Sequence, residues 1–144
     1  MIVCILMTRA NKQWGNCIVK RASAGLGLFA IDAFRKGDFV IEYTGEPLTT
    51  EEADRKGGKY LFYVDDNLTL DGTPRRHIAR YMNHSCDPNC EAIIEEYENG
   101  DKKVMIYALR DIAPGEELTY DYGEEYVADF IAPHGCRCTH CSTQ

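Results

Sequence analysis

The sequence has no long apolar run, no low-complexity tract and no excess of basic residues, and each absence excludes something. Its N-terminal apolar stretch, "MIVCILM", is too short to cross a membrane and has neither the basic flank nor the small-residue cleavage site of a secretory signal. It is read as a first β-strand of a chain with no membrane association. Sixteen Lys and Arg stand against 23 Asp and Glu, a formal charge of −7. A surface of that sign disfavours direct nucleic-acid binding, which depends on neutralising phosphates, and suits a basic protein partner or plain solubility. Apolar residues never recur at helical spacing for more than about three turns, which excludes a helical bundle. The seven Cys lack the even, distributed arrangement of a secreted disulfide framework, which indicates an intracellular, reducing compartment and a metal site. With 144 residues, 44% of them hydrophobic, the chain forms one domain with a real core.

What is present reads as short strands punctuated by Gly. "CIVKRA" and "SAGLGLFA" precede "FRKGDFVIEYTGE", where Phe39, Ile41 and Tyr43 alternate. Thr49 or Thr50 before "EEADRKGG" has N-cap chemistry, early acids and a Gly stop, hence a short helix. "KYLFYVDD" and "LTLDGT" read as strands, and "PRRHIARYM" as one or two helical turns with Pro74 at the first position. "EAIIEEYENGDKKVMIYALRDI" is a hairpin whose Asn-Gly favours a tight turn. "APGEE" is another turn and "LTYDYG" another strand. The class is therefore mostly β with short helices.

Three stretches carry chemistry. "CRCTHC" places Cys136, Cys138 and Cys141 so close that unstrained disulfides among them are difficult, whereas one tetrahedral zinc ion can take all three. Its fourth ligand has local candidates in His134 and His140 and distant ones in Cys86 and Cys90. "NHSC" offers His84 beside Ser85, but adjacent residues rarely form a Ser–His dyad and no elbow glycines flank the Ser, so a hydrolase is discounted. A polar turn held by "DPN" is the simpler reading. Gly25-x-Gly27 lacks the third Gly of a dinucleotide fingerprint and reads as a turn. Tyr120 and Tyr122 fall on one face of a strand, either as core aromatics or as hydroxyls offered to a ligand amine.

Taken in order, "GLG", "EYTGE", "RYMNHSCDPNC", "GEELTYDYG" and "CRCTHC" resemble a SET-domain protein lysine methyltransferase with a C-terminal post-SET zinc segment. The resemblance runs from about residue 17 to 141. It implies a SET domain over 1–123 and a zinc-binding tail over 124–144, built as small curved β-sheets around a pseudoknot-like core. It implies S-adenosylmethionine as cofactor, with S-adenosylhomocysteine as product, held by Gly25, Leu26, Gly27, Asn83, His84 and Tyr122. It implies Tyr122 as the catalytic tyrosine, Tyr43 as a contact to the substrate amine, and Tyr120 as the position that favours mono- and dimethylation. Cys86 would join Cys136, Cys138 and Cys141 at a structural zinc, leaving Cys90 in the core. The substrate would be a basic protein such as a histone tail. The location would be the nucleus and chromatin in a eukaryote, or the cytoplasm in a microbe.

The chain departs from the fuller family pattern at several points. Cys138-x-x-Cys141 is tighter than the commoner four-residue gap, so His140 is a rival to Cys86. Gly135 stands where an aromatic often covers the adenine, leaving Phe130 or Ile131 for that task. No Cys-rich segment precedes the domain, and the insert after "EYTGE" is short. The alternative function is an inactive SET-like module that binds basic protein tails.

Overall fold

A computed structural model describes residues 13–138 and Cys141. The expected strand at "MIVCILM" and the candidate ligand His140 lie outside the described residues. The chain passes from β1 (Gln13–Trp14) through β2 (Cys17–Ala22), β3 (Gly25–Ala30), β4 (Phe39–Tyr43) and β5 (Glu46–Leu48) to the helix α1 (Thr50–Lys56). Next come β6 (Leu61–Asp65), β7 (Leu68–Asp71), a 3₁₀ turn at Ile78–Tyr81, β8 (Asn83–His84), β9 (Cys90–Glu96) and β10 (Lys102–Ala108). After β11 (Glu117–Tyr120) the tail is helical, with α2 (Glu124–Tyr126), a wider turn at Val127–Ile131 and a 3₁₀ turn at Ala132–His134.

Three small sheets result, ordered β1-β2-β3-β11-β8, β4-β10-β9 and β5-β7-β6. One pairing matters most for the site. β8 lies parallel to β11, with Asn83 opposite Thr119 and His84 opposite Tyr120. Asn89 fastens that crossing, because its buried amide donates to the Glu117 carbonyl at 2.7 Å and accepts from the Thr119 N–H at 2.9 Å. Leu28, Met82, Val104, Ile106, Ile112 and Leu118 are fully buried where the sheets meet, each stabilising the fold by about 1.5–3 kcal/mol. Cys90 is buried with them, as expected.

Local chemistry explains α1. The Thr49 hydroxyl accepts from the Glu52 N–H at 3.2 Å and the Glu52 carboxylate accepts from the Thr49 N–H at 2.8 Å, a complete capping box. Gly57, at φ +59, ends the helix. No helix among the described residues is long and apolar enough to cross a membrane.

Three local expectations need correction. The alternation in β4 is broken, because Phe39 pairs with Tyr107 and Ile41 with Ile106, leaving Val40 as an extra, bulged residue. Val40 therefore turns into the core while Phe39 is 49% exposed. A helical turn does form in "PRRHIARYM", the 3₁₀ turn at Ile78–Tyr81, but Pro74 does not open it. Its carbonyl accepts from His77 and the His77 carbonyl from Arg80, so two tight turns form, and His77 is held away by the Thr44 hydroxyl 2.8 Å from its Nδ1. The β9–β10 connection is a five-residue loop, Tyr97–Asp101, rather than a two-residue turn. Asn99 accepts from the Asp101 N–H at 3.0 Å and Gly100 takes φ +88, so the Asn-Gly pair closes the wider loop.

Candidate functional site

Gly25 and Gly27 lie where β2 turns into β3. Gly25 sits at φ +107, a region that favours glycine. Gly27 is excluded from carrying a side chain by crowding, since a Cβ there would lie 2.6 Å from Glu117 Oε2 and 2.8 Å from Ala22 Cβ. The crowding comes from a polar knot. Asn83 Nδ2 donates both to the Leu26 carbonyl and to Glu117 Oε2, each at 2.9 Å, and so ties the turn to β8 and β11. Leu26 itself is 51% exposed at the rim of a cavity.

That cavity has a volume of about 690 Å³ and is bounded by Leu26, Asn83, His84 and Tyr122 on one side and by the tail residues Phe130 to Cys138 on the other. A second cavity of about 610 Å³ contains Tyr43, Phe62, Tyr120 and Tyr122 and reaches α1 at Ala53. Tyr60, Arg80, Tyr122, Tyr126 and Phe130 border both. The two spaces are thus separated by one aromatic wall.

The tyrosines pack closely, Tyr122 edge to face with Tyr126 and tilted against Tyr120. Tyr122 has its ring centre 4.8 Å from Tyr120 and 4.9 Å from Tyr126, and Phe62 stands 5.1 Å from Tyr43. β11 ends at Tyr120, so Tyr122 is not on the same strand face as expected. It turns inward because its N–H donates to His84 Nδ1 at 3.2 Å and its hydroxyl donates to the Met82 carbonyl. The Tyr43 hydroxyl donates to the Tyr60 carbonyl at 3.0 Å. The hydroxyl of Tyr120 has no hydrogen-bond partner among the described residues, although the ring is buried. Burial pushes all three phenols well above the ordinary tyrosine range, and neighbouring phenols add to this. They remain neutral.

The "NHSC" segment is not a nucleophilic dyad. Ser85 is buried and its hydroxyl accepts from the Asp87 N–H at 3.1 Å, the turn expected from "DPN". The Ser85 N–H donates to the Tyr120 carbonyl at 3.2 Å, which stitches this loop to the end of β11. His84 is buried, and desolvation lowers its pKa below the usual imidazole value despite the opposing charge of Asp121.

The sulfurs of Cys86, Cys136, Cys138 and Cys141 all lie within 4.8 Å of one another. Cys86 Sγ is 3.9 Å from that of Cys136 and 3.5 Å from that of Cys141. A tetrahedral zinc with Zn–S bonds of about 2.3 Å requires sulfurs about 3.8 Å apart, so the set fits a zinc ion. Burial opposes ionisation of Cys138, but the backbone N–H groups of Cys86 and Cys141 (the latter 3.4 Å from Cys138 Sγ) and the side chains of Cys136 and Cys141 together bring that thiol down to about 6. Of the rival ligands, Cys90 is in the core and His134 borders the larger cavity.

Several residues of the site carry no motif. Tyr60 and Arg80 form the junction between the cavities, the guanidinium lying 3.8 Å from the Tyr60 ring centre. Arg80 also donates to the Thr73 carbonyl, and its Nε is buried with no partner among the described residues. Tyr126 is fixed by donating to the Lys59 carbonyl at 2.6 Å. Only the position of Arg80 just ahead of "NHSC" hinted at a role.

Small curved sheets, a parallel crossing at "NHSC" and a paired cavity define a protein class. Residues 25–123 match the model of the SET domain, and the chain belongs to the SET-domain family. It is similar to the "Histone-lysine N-methyltransferase, H3 lysine-4 specific" of Neurospora crassa, 48% identical over 105 residues, covering 67% of this chain and 8% of that protein. It is also similar to the protein of the same name in Schizosaccharomyces pombe, at 46% over 122 residues, covering 78% and 13%. A third relative is "Histone-lysine N-methyltransferase set1" of Dictyostelium discoideum, at 42% over 124 residues, covering 80% and 8%. The chain spans between 8% and 13% of the length of these relatives.

Proposed function

We propose that the chain is an S-adenosylmethionine-dependent protein lysine N-methyltransferase acting on basic protein tails at chromatin, with the lysine-4 region of the histone H3 tail as the first substrate to test. The observation that supports this best is the aromatic wall shared by the two cavities at Tyr122. A methyl donor on one side and a lysine on the other would meet there.

The larger cavity suits the cofactor. Arg80, whose buried Nε has no partner among the described residues, answers a carboxylate, and the Leu26 backbone at the cavity rim, set by the flanking Gly25 and Gly27, would with Asn83 and His84 hold the amino-acid part. Phe130 and Ile131 give an apolar surface for the adenine. When bound, S-adenosylmethionine supplies an electrophilic methyl group and leaves as S-adenosylhomocysteine. The protein's task is alignment and exclusion of water. A lysine ammonium, with an unperturbed pKa of about 10.4, must give up its proton to solvent water before it can attack. Burial among Phe62, Tyr43 and Tyr120 favours the neutral amine. Because Tyr43 and Tyr122 stay protonated, they act as orienting groups rather than bases. Their donor hydrogens already point to backbone carbonyls, so their oxygen lone pairs are left to receive the amine. The open Tyr120 hydroxyl can hold a water where further methyl groups would need room, which favours mono- and dimethylation.

Cys86, Cys136, Cys138 and Cys141 would hold zinc in a structural role, since four thiolates leave no open position. On this reading residues 124–144 form a zinc-held tail that closes the larger cavity over the SET domain of residues 1–123. The test is mass spectrometry of core histones and an H3 tail peptide after incubation with the chain and S-adenosylmethionine, beside a Tyr122→Phe control. Methyl gain on lysine that disappears in the control supports the enzyme. No gain on any substrate, with no cofactor binding by calorimetry, moves the reading to a module that only binds basic tails.

A further inference from the structure

His84 sits between two parts of the site that are otherwise separate, and its side chain touches both. Its Nδ1 accepts from the backbone N–H of Tyr122 at 3.2 Å, while its Nε2 lies 3.5 Å from the sulfur of Cys86. The ring also packs on Tyr122 at 5.5 Å between centres. An imidazole nitrogen that accepts an N–H has no hydrogen of its own, so the proton of the neutral ring is on Nε2. Asp121 does not compete for it. Its nearest oxygen is 3.7 Å from Nδ1, beyond hydrogen-bond range, and accepts from the Gly123 N–H at 2.9 Å. The Nε2–H therefore faces the Cys86 sulfur.

We propose that His84 is a positioning residue that joins the Cys86 metal ligand to the backbone of Tyr122 through the two nitrogens of one Nε2–H imidazole. This rests on the function proposed above for Tyr122 and on zinc at the cysteine cluster. Four thiolates around a divalent ion leave two net negative charges, and an N–H aimed at one sulfur offsets part of them in a site where Cys138 is buried. At its other end the ring sets the entry of Tyr122 into the aromatic wall, two residues after β11 has ended and where no strand pairing holds the chain. Metal closure of the tail and placement of the catalytic phenol are thereby mechanically linked, and a cluster shifted by a wrong metal or a lost ligand displaces Tyr122.

Two isosteres separate the two ends. In His84→Asn the amide oxygen replaces Nδ1 and keeps the acceptor for Tyr122, but nothing reaches Cys86. In His84→Gln the amide nitrogen replaces Nε2 and keeps the donor to Cys86, but the acceptor is lost. Cobalt(II) is loaded in place of zinc, its affinity measured by chelator competition and its thiolate charge-transfer band recorded, beside kcat and KM for an H3 tail peptide. The Asn variant is expected to bind cobalt about 10- to 100-fold more weakly with a shifted band, and the Gln variant to retain the metal while kcat falls and KM for the peptide holds. Variants that behave alike, or an Asn variant with parental affinity and band, would overturn the link. Should both variants fail to fold, long-range ¹H–¹⁵N spectra of the unaltered zinc-loaded protein decide it, because an Nδ1–H or doubly protonated His84 at pH 7.5 refutes the assignment. The tautomer and metal readouts do not depend on turnover, so an inactive parent protein would sink the methyltransferase reading and leave this one standing or falling by itself.

Discussion

Tyr122 is held by its backbone N–H and by its hydroxyl, and these two restraints act differently. Tyr122→Phe keeps the ring and the first, and loses a hydrogen bond worth about 0.5–1.5 kcal/mol. Its thermal midpoint should fall by only a few degrees, whereas methyl transfer should fall by about 10²-fold or more as amine alignment is lost; calorimetry and initial rates on the same preparation separate the two. Tyr120→Phe removes a hydroxyl with no hydrogen-bond partner among the described residues, so stability should be retained while the product mixture moves toward di- and trimethyllysine by mass spectrometry. His77 supplies a pH test away from the metal cluster. Burial first and the Arg76 guanidinium second lower its pKa below 6.5, and Glu46 is already engaged by Arg76. The unfolded chain therefore binds the proton more readily, so stability is full above pH 6.5 and declines as the pH falls below it. His77→Gln should flatten that decline in urea titrations between pH 7.5 and 5.5.

At the level of elements, α1 borders the second cavity, the proposed lysine side, through Ala53 and Asp54 and depends on a seven-residue helix being capped at both ends. Thr49→Ala should cost about 1 kcal/mol and speed hydrogen exchange of the α1 amides, with the larger loss in KM for peptide rather than for cofactor. This helix was readable from the sequence because its signals are local, and so were the short strands. The site was readable where its residues cluster in sequence, as in "NHSC" and the terminal cysteines. Tyr60, Arg80 and Tyr126 were not, since an isolated aromatic or arginine has no spacing to distinguish it, and they meet only after β6, β8 and the tail converge. Errors fell where tertiary contacts overrule local preference. The bulge at Val40 is set by pairing with β10, and the helical turn starts at Ile78 rather than at Pro74, where Thr44 holds the preceding His77. Tyr122 was placed on a strand because alternation alone cannot see that His84 captures its N–H.

The whole molecule carries a formal charge of −7 and would take a basic substrate. KM for a histone peptide should accordingly rise with salt as screening shortens to a Debye length of about 8 Å near physiological ionic strength, whereas KM for the cofactor should change much less. Removal of zinc by a chelator should lower the thermal midpoint and weaken cofactor binding, because Gly135, Cys136, Arg137 and Cys138 border the larger cavity. A fluorescence melt and a cofactor titration before and after zinc is restored would check both. The cysteine cluster also sets an order of events during synthesis. Cys86 and Cys141 are 55 residues apart, and the first emerges from the ribosome long before the second. Until residue 141 has been made and has folded back, the nascent chain has at most three of its four thiolates and an open cavity wall. On the zinc reading, metal capture would wait for the last ligand to be made, and a chain cut short before Cys141 is expected to hold zinc more weakly and to leave the larger cavity open on its tail side.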